Sequence, residues 1–116
     1  MGAAQDRGRA GEALAAAYME LIGCRLVARN ALLGGVEVDL VVDDGPVRVL
    51  VEVRVRARAD FGGAAATVDT LKRRRLVRAA RALEQQGLPR VRVDVIAVDL
   101  VAGGAAIGHH RNAVTD

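Results

Sequence analysis

The chain has 116 residues, 52% of them hydrophobic and mostly Ala, Val and Leu, which suits one α/β domain with a modest core and excludes two. Aromatic residues make up 2%, Tyr18 and Phe61 alone, so a single-strand binder that grips bases on aromatic platforms is excluded. Seventeen basic against fourteen acidic residues give a formal charge of +3 and a pI near 10, compatible with a polyanionic partner, although an arginine bias of this kind also follows from a G+C-rich genome.

Cys24 is the single cysteine, which excludes an intramolecular disulfide and a cysteine-rich zinc site. No cationic stretch followed by an apolar run opens the chain and no segment approaches a membrane span, so a cytoplasmic protein without a membrane partner is expected.

Residues 5 to 22 have the spacing of an amphipathic helix, with Leu14, Ala17, Tyr18, Leu21 and Ile22 as its apolar stripe and Gly23 placed to end it. Gly8 and Gly11 are poor helix formers near a helix start, which predicts either fraying or the close approach of another group. Glu12 follows them. Cys24 to Arg29 reads as a short strand, and Asn30 to Gly35 as a glycine-ended loop.

The stretch VEVDLVVDDGPVRVLVEVRVRAR, residues 36 to 58, alternates as two strands around a turn. Asp43-Asp44-Gly45-Pro46 supplies that turn, because Gly45 tolerates positive φ and Pro46 fits only where no ladder N–H is needed. A loop of Asp44 and Gly45 sets Glu37 opposite Glu52; a loop of Gly45 and Pro46 sets Asp39 opposite Glu52. In either register Glu37, Asp39, Glu52 and Arg54 are predicted on one face. Like charges facing each other across strands are destabilising, and a bound Mg²⁺ would relieve them, since that ion takes one or two carboxylates plus waters and phosphate oxygens. Alternatively these residues are the solvated side of a half-exposed sheet, neutralised by Arg54 and Arg56.

Ala59 to Thr67 is small and glycine-rich, hence a loop. Thr67 then caps a second helix whose apolar face is Val68, Leu71, Leu76, Ala79, Ala80 and Leu83, and which Gly87 and Pro89 end. Its other faces carry Lys72, Arg73, Arg74, Arg75, Arg78 and Arg81, the densest positive charge in the chain. Arg74, Arg78 and Arg81 share one side, where like charges oppose the helix and a phosphate backbone would relieve them. A soluble helix face is the plainer alternative. Val91 to Leu100 is an alternating strand and Ala105 to His109 a last short one after Gly103-Gly104. Adjacent His109 and His110 point to opposite sides and cannot both ligate one metal easily.

The order Asp39, then Glu52-Val53-Arg54, resembles the D…(D/E)-x-K core of the PD-(D/E)-x-K nuclease superfamily. Beyond it, GRAGEALAAAYMELIGCRLVARN at 8 to 30, VEVDLV at 36 to 41, VLVEVRVR at 49 to 56, FGG at 61 to 63, TVDTLKRRRLVRAARALEQQ at 67 to 86, RVRVDVIAVDL at 90 to 100 and IGHHRNAV at 107 to 114 resemble the YraN-like family in order and spacing. That family holds small proteins regarded as predicted endonucleases related to archaeal Holliday-junction resolvases.

The resemblance implies a restriction-endonuclease-like core, a mixed sheet flanked by two main helices in the order α-β-β-β-α-β-β. It implies a Mg²⁺- or Mn²⁺-dependent endonuclease acting on branched or forked DNA, working as a possible homodimer. Asp39, Glu52 and Glu37 would be the metal ligands, with Arg54 and Glu12 completing the catalytic set. Lys72, Arg73, Arg74, Arg78 and Arg81 would bind nucleic acid. Asp94 and His109 also match family positions. The loop before the hairpin departs from the family pattern, with Ala31, Leu32 and Leu33 where an aromatic and polar residues are usual. Arg54 departs too, standing where the superfamily has the lysine that activates water. A guanidinium reaches phosphate bidentately but stays protonated, so the exchange leaves a nucleic-acid-binding module with weak or lost hydrolysis as one alternative and a structural or interaction protein as another. Lys72, from the second helix, is a candidate to take over the missing role.

Overall fold

The computed structural model describes residues 3–57, 70–88 and 90–113. Helix α1 (Ala3–Leu21) is followed by strands β1 (Arg25–Leu33), β2 (Val36–Asp44) and β3 (Val47–Arg56), helix α2 (Thr70–Gln85), and strands β4 (Val91–Val101) and β5 (Gly104–His110). This is the α-β-β-β-α-β-β order expected. The five strands lie side by side in chain order, antiparallel except for β3 and β4, which are parallel. A parallel pair needs a crossover, and α2 lies within it. The molecule is therefore a mixed sheet between two helices, an α/β fold consistent with a restriction-endonuclease-like core.

Each turn follows from its residues. Gly34 (φ 56) and Gly35 (φ 78) close a two-residue hairpin between Leu33 and Val36, a conformation that calls for positive φ at both positions. Asp44 pairs with Val47, so Gly45 and Pro46 form the central loop, the second of the two registers allowed by the sequence.

Each face of the sheet has its own core. On one, Ala15, Ala16 and Met19 of α1 pack with Leu40, Val42, Val49, Val51, Ile96 and Val98; on the other, Leu76, Ala79 and Leu83 of α2 pack with Val36, Val38, Val41, Leu50, Val93, Val95 and Ala97. β2 thus changes faces along its length. Strict alternation would keep Val36, Val38, Leu40 and Val42 together, whereas the first two face α2 and the last two face α1. The change falls at Asp39. Opposite it in the β1 register, between the pairs Ala31↔Val38 and Arg29↔Leu40, stands Asn30 in the left-handed region at φ 49. Both strands bend at one point, and the face expected for the acidic residues is altered there.

Three further expectations are corrected. The segment Asn30 to Leu33 is strand rather than loop, because β1 runs unbroken into the Gly34-Gly35 turn. Helix α1 docks through Ala15, Ala16 and Met19, which are buried, with Tyr18 of the expected stripe half-buried against them, whereas Leu21 is 85% exposed and Leu14, Ala17 and Ile22 are exposed. Gly11 explains the choice, since an added Cβ would overlap Val55 Cγ2 and small side chains let helix and strand approach closely. In α2, Leu76, Ala79 and Leu83 are buried as expected, but Leu71 is 56% exposed. The cap and apolar roles expected of Thr67 and Val68, the loop over 59 to 67 and the stop at Pro89 lie outside the described residues.

Among the described residues, no helix is long and apolar enough to cross a membrane.

Candidate active site

The site forms where β2 and β3 part. Their pairs run from Asp44↔Val47 to Leu40↔Val51, and the next step would set Asp39 opposite Glu52. Instead the Asp39 carboxylate turns in line with the ladder, and its Oδ2 accepts a hydrogen bond from the Val53 N–H at 2.8 Å. The bend at Asp39 makes this possible, because a residue at the point where the strand changes faces has no fixed side of the sheet. On β3, Leu50 faces α2, so alternation sends Glu52 and Arg54 the same way.

From α2, Lys72 Nζ comes to 3.3 Å from Glu52 Oε1, and Arg54 Nε lies 3.7 Å from Glu52 Oε2. These are ion-pair separations; no well-aligned donor reaches Oε1 among the described residues. The Glu52 side chain is 5% exposed. Burial, and after it the Asp39 charge, push its pKa from 4.5 up to about 7, against the pull of Lys72 and Arg54. Asp39 is raised as well, by burial first and also by the Glu37 charge, while the Val53 amide, Lys72 and a hydrogen bond shared with Glu52 work the other way.

Glu12 of α1 and Glu37 of β2 complete the acidic surroundings. The Glu12 carboxyl is raised by burial and then by the charges of Asp39 and Glu37, with Arg29 opposing. Glu37 is exposed, and because Val36 and Val38 face α2 it points away from Glu52. The expectation of Glu37, Asp39, Glu52 and Arg54 on one face is therefore corrected: the carboxylates reach the strand ends from both sides of the sheet. Among the described residues no three acidic, His or Cys side chains already converge as a metal-binding group. The close pair is Asp39 with Glu52. A half-buried and a buried carboxylate side by side suit an ion that takes one or two protein ligands and fills its remaining positions from water or phosphate.

Lys72 is half-buried against Glu52, whereas Arg73, Arg74, Arg75, Arg78 and Arg81 are exposed along α2. The basic helix and the acidic pair thus meet through Lys72.

Sequence reasoning did not pick out Arg7. It lines, with Gly8, Glu12, Val53, Arg54 and Val55, a cavity of about 300 Å³ beside the acidic pair. Asp94 is the centre of a second tie. Asp94 is fully buried, and its carboxylate accepts from Arg92 Nε (2.9 Å) and Nη2 (3.1 Å) and from the Asn112 N–H (2.9 Å), with His109 Nε2 at 2.8 Å. His109 Nδ1 meets the Tyr18 hydroxyl at 2.9 Å, the two rings standing edge to face. Burial would raise the Asp94 pKa, but Arg92, the Asn112 amide and His109 together hold it below the ordinary value. With both ring nitrogens engaged, His109 ties α1, β4 and β5 together. It does not join the acidic pair.

Comparison with known proteins follows the same residues. The profile of the uncharacterised protein family UPF0102 matches residues 11–98, a span that includes Glu12, Asp39, Glu52, Lys72 and Asp94. The chain is 58% identical over 79 residues to a UPF0102 protein of Xanthomonas campestris pv. campestris, covering 68% of this chain and 65% of that one. It is 44% identical over 99 residues to a UPF0102 protein of Janthinobacterium, covering 84% and 80%. The match thus spans just under two thirds of the Xanthomonas relative's length. On the profile match and these identities, the chain belongs to the UPF0102 family, the YraN family.

Proposed function

We propose that the protein is a metal-dependent endonuclease that hydrolyses phosphodiester bonds in structured DNA. The observation that carries the reading is the Asp39–Glu52 pair, a half-buried and a buried carboxylate brought together beside Lys72, Arg54 and a basic helix. Asp39 and Glu52 are the residues that would hold Mg²⁺ or Mn²⁺, with Glu12 and Glu37 near Asp39 as further acidic groups. When bound, the ion supplies polarisation of the phosphate and a more acidic water. Lys72 and Arg54 hold Glu52 in place and set positive charge where a phosphate approaches. Arg73, Arg74, Arg78 and Arg81 grip the strand backbone, an interaction independent of sequence and strongly salt-dependent. Two copies acting together would address both strands of a branch point.

A second reading draws on Arg54. With a guanidinium where the resemblance leads one to look for lysine, the same surface binds DNA without cutting it.

The test is cleavage of nicked, forked and four-way-junction DNA with Mg²⁺ or Mn²⁺, by the wild type and by Glu52→Ala. Cleavage lost in the variant while DNA binding persists supports the first reading. Binding without cleavage in the wild type selects the second, and a fully active Glu52→Ala protein refutes the assignment of the site.

A further inference from the structure

The cavity between the first half of α1 and the end of β3 is not used by the acidic pair itself. Its walls mix charge and hydrocarbon: Arg7, Arg54 and Glu12 on one hand, Val53 and Val55 on the other. It touches the acidic pair in two ways. The Val53 amide holds Asp39, and the Glu12 carboxyl feels the Asp39 charge. A second, apolar hollow of about 110 Å³ adjoins it, lined among others by Leu14, Val55, Val98, Leu100 and Ala105, with Arg7 and Val55 common to both. Gly8 lines the larger cavity, and a Cβ added there would meet nothing within 4 Å. A bare glycine inside a helix costs about 1 kcal/mol against alanine. Here it leaves the space open on the helix side.

We propose that this cleft holds one unpaired nucleotide of a DNA strand that passes the acidic pair, so that the protein selects DNA with a free single strand over flush duplex. The inference rests on the reading of the acidic pair as the place where a strand is engaged. A volume of about 300 Å³ lies at the small end of ligand cavities and is closed to a double helix, whereas a single nucleotide is of that order. The polar half offers Arg7 to the phosphate, as guanidinium groups pair with phosphate oxygens. The aliphatic half receives sugar and base. Among the described residues no aromatic side chain lines either hollow, so the base packs on valine and leucine and against the guanidinium plane, a mode that carries little sequence preference.

The experiment measures affinity for a fork with a short single-stranded arm and for a flush duplex of the same sequence, by fluorescence anisotropy in EDTA so that nothing is cut. The wild type binds the fork about tenfold more tightly, a difference of about 1.4 kcal/mol. Gly8→Leu, which fills the cleft with a better helix former, reduces fork affinity to the duplex level and leaves duplex affinity unchanged. Arg7→Ala lowers the preference as well, and it carries the test should the leucine variant fail to fold by circular dichroism. Equal affinity of the wild type for both DNAs overturns the inference, as does a folded Gly8→Leu protein that keeps the full preference. Fork selectivity without cleavage in Mg²⁺ sinks the hydrolytic reading alone; cleavage of both DNAs with equal affinity sinks this inference alone.

Discussion

Replacing Glu52 with glutamine tests the central electrostatic claim without reference to any reaction. In the folded protein the Glu52 pKa stands at about 7 rather than 4.5, because the carboxylate is buried beside Asp39. A group whose folded pKa is raised gives stability that is present below the unfolded value and is lost as pH rises through the folded one. At about 1.4 kcal/mol for each pH unit, ionised Glu52 costs the fold about 3 kcal/mol above pH 7, to order of magnitude. Glu52→Gln keeps the shape and removes the charge. Without divalent ions at pH 8 the variant should therefore be the more stable protein by about 1 to 3 kcal/mol, or about 5 to 10 °C in Tm. Below pH 4.5 the wild-type carboxyl is protonated in both states and the two proteins should melt together. Adding Mn²⁺ at pH 8 should raise the Tm of the wild type and leave the variant behind. Urea and thermal melts across pH 4 to 8 provide the assay. A variant less stable than wild type at pH 8, or equally stabilised at pH 4, refutes the reasoning.

Lys72→Ala removes a cation that opposes the rise, so melts at pH 8 should show a loss of about 1 kcal/mol that shrinks toward pH 4, where the carboxyls are protonated. Gly11→Ala gains about 1 kcal/mol of helix propensity but drives a methyl into Val55, and overpacking of this kind costs about 1 to 3 kcal/mol. Pairing it with Val55→Ala should recover part of the loss, and a denaturation series that shows no recovery would count against the close approach of helix and strand. Asp94→Ala strips the shared partner from Arg92, His109 and the Asn112 amide and should cost about 3 to 5 kcal/mol by urea unfolding. In the intact protein that contribution is present above the ordinary carboxyl value of 3.8 and disappears as pH falls through the lower folded value. Joint alanine substitution of Arg74, Arg78 and Arg81 should flatten the dependence of log affinity for DNA on log salt, by about 0.9 for each phosphate that is no longer neutralised. An unchanged slope would place DNA elsewhere on the surface.

The hairpin was legible because Val and charged residues alternate from Val36 onward and Asp-Gly-Pro admits few turns. The sequence admits two registers, and the pairing of Asp44 with Val47 selects one. The order of elements followed from the same patterns, but the faces did not always follow. Periodicity marks large apolar residues, so it points to Leu14, Leu21 and Ile22 as well as Tyr18, whereas α1 packs through Gly11, Ala15, Ala16 and Met19, with close approach set by the three small ones. The bend at Asp39 depends on a left-handed asparagine on another strand, and nothing local to Asp39 announces it. Asp39 and Glu52 could be named from their resemblance to a known motif. The meeting of Lys72 with Glu52 requires the crossover to lay α2 over β3, a long-range fact. Arg7 lacked any local signal.

An ammonium group delivered by a helix, not by the strand that bears the glutamate, has a practical consequence for finding proteins of this kind in genomes. A text pattern demanding lysine two letters after the acidic residue would discard this chain at Arg54. An ammonium group nevertheless stands 3.3 Å from the carboxylate, encoded twenty positions downstream at Lys72. Screens built on spatial neighbourhood would retain such chains, and spelling alone would lose them.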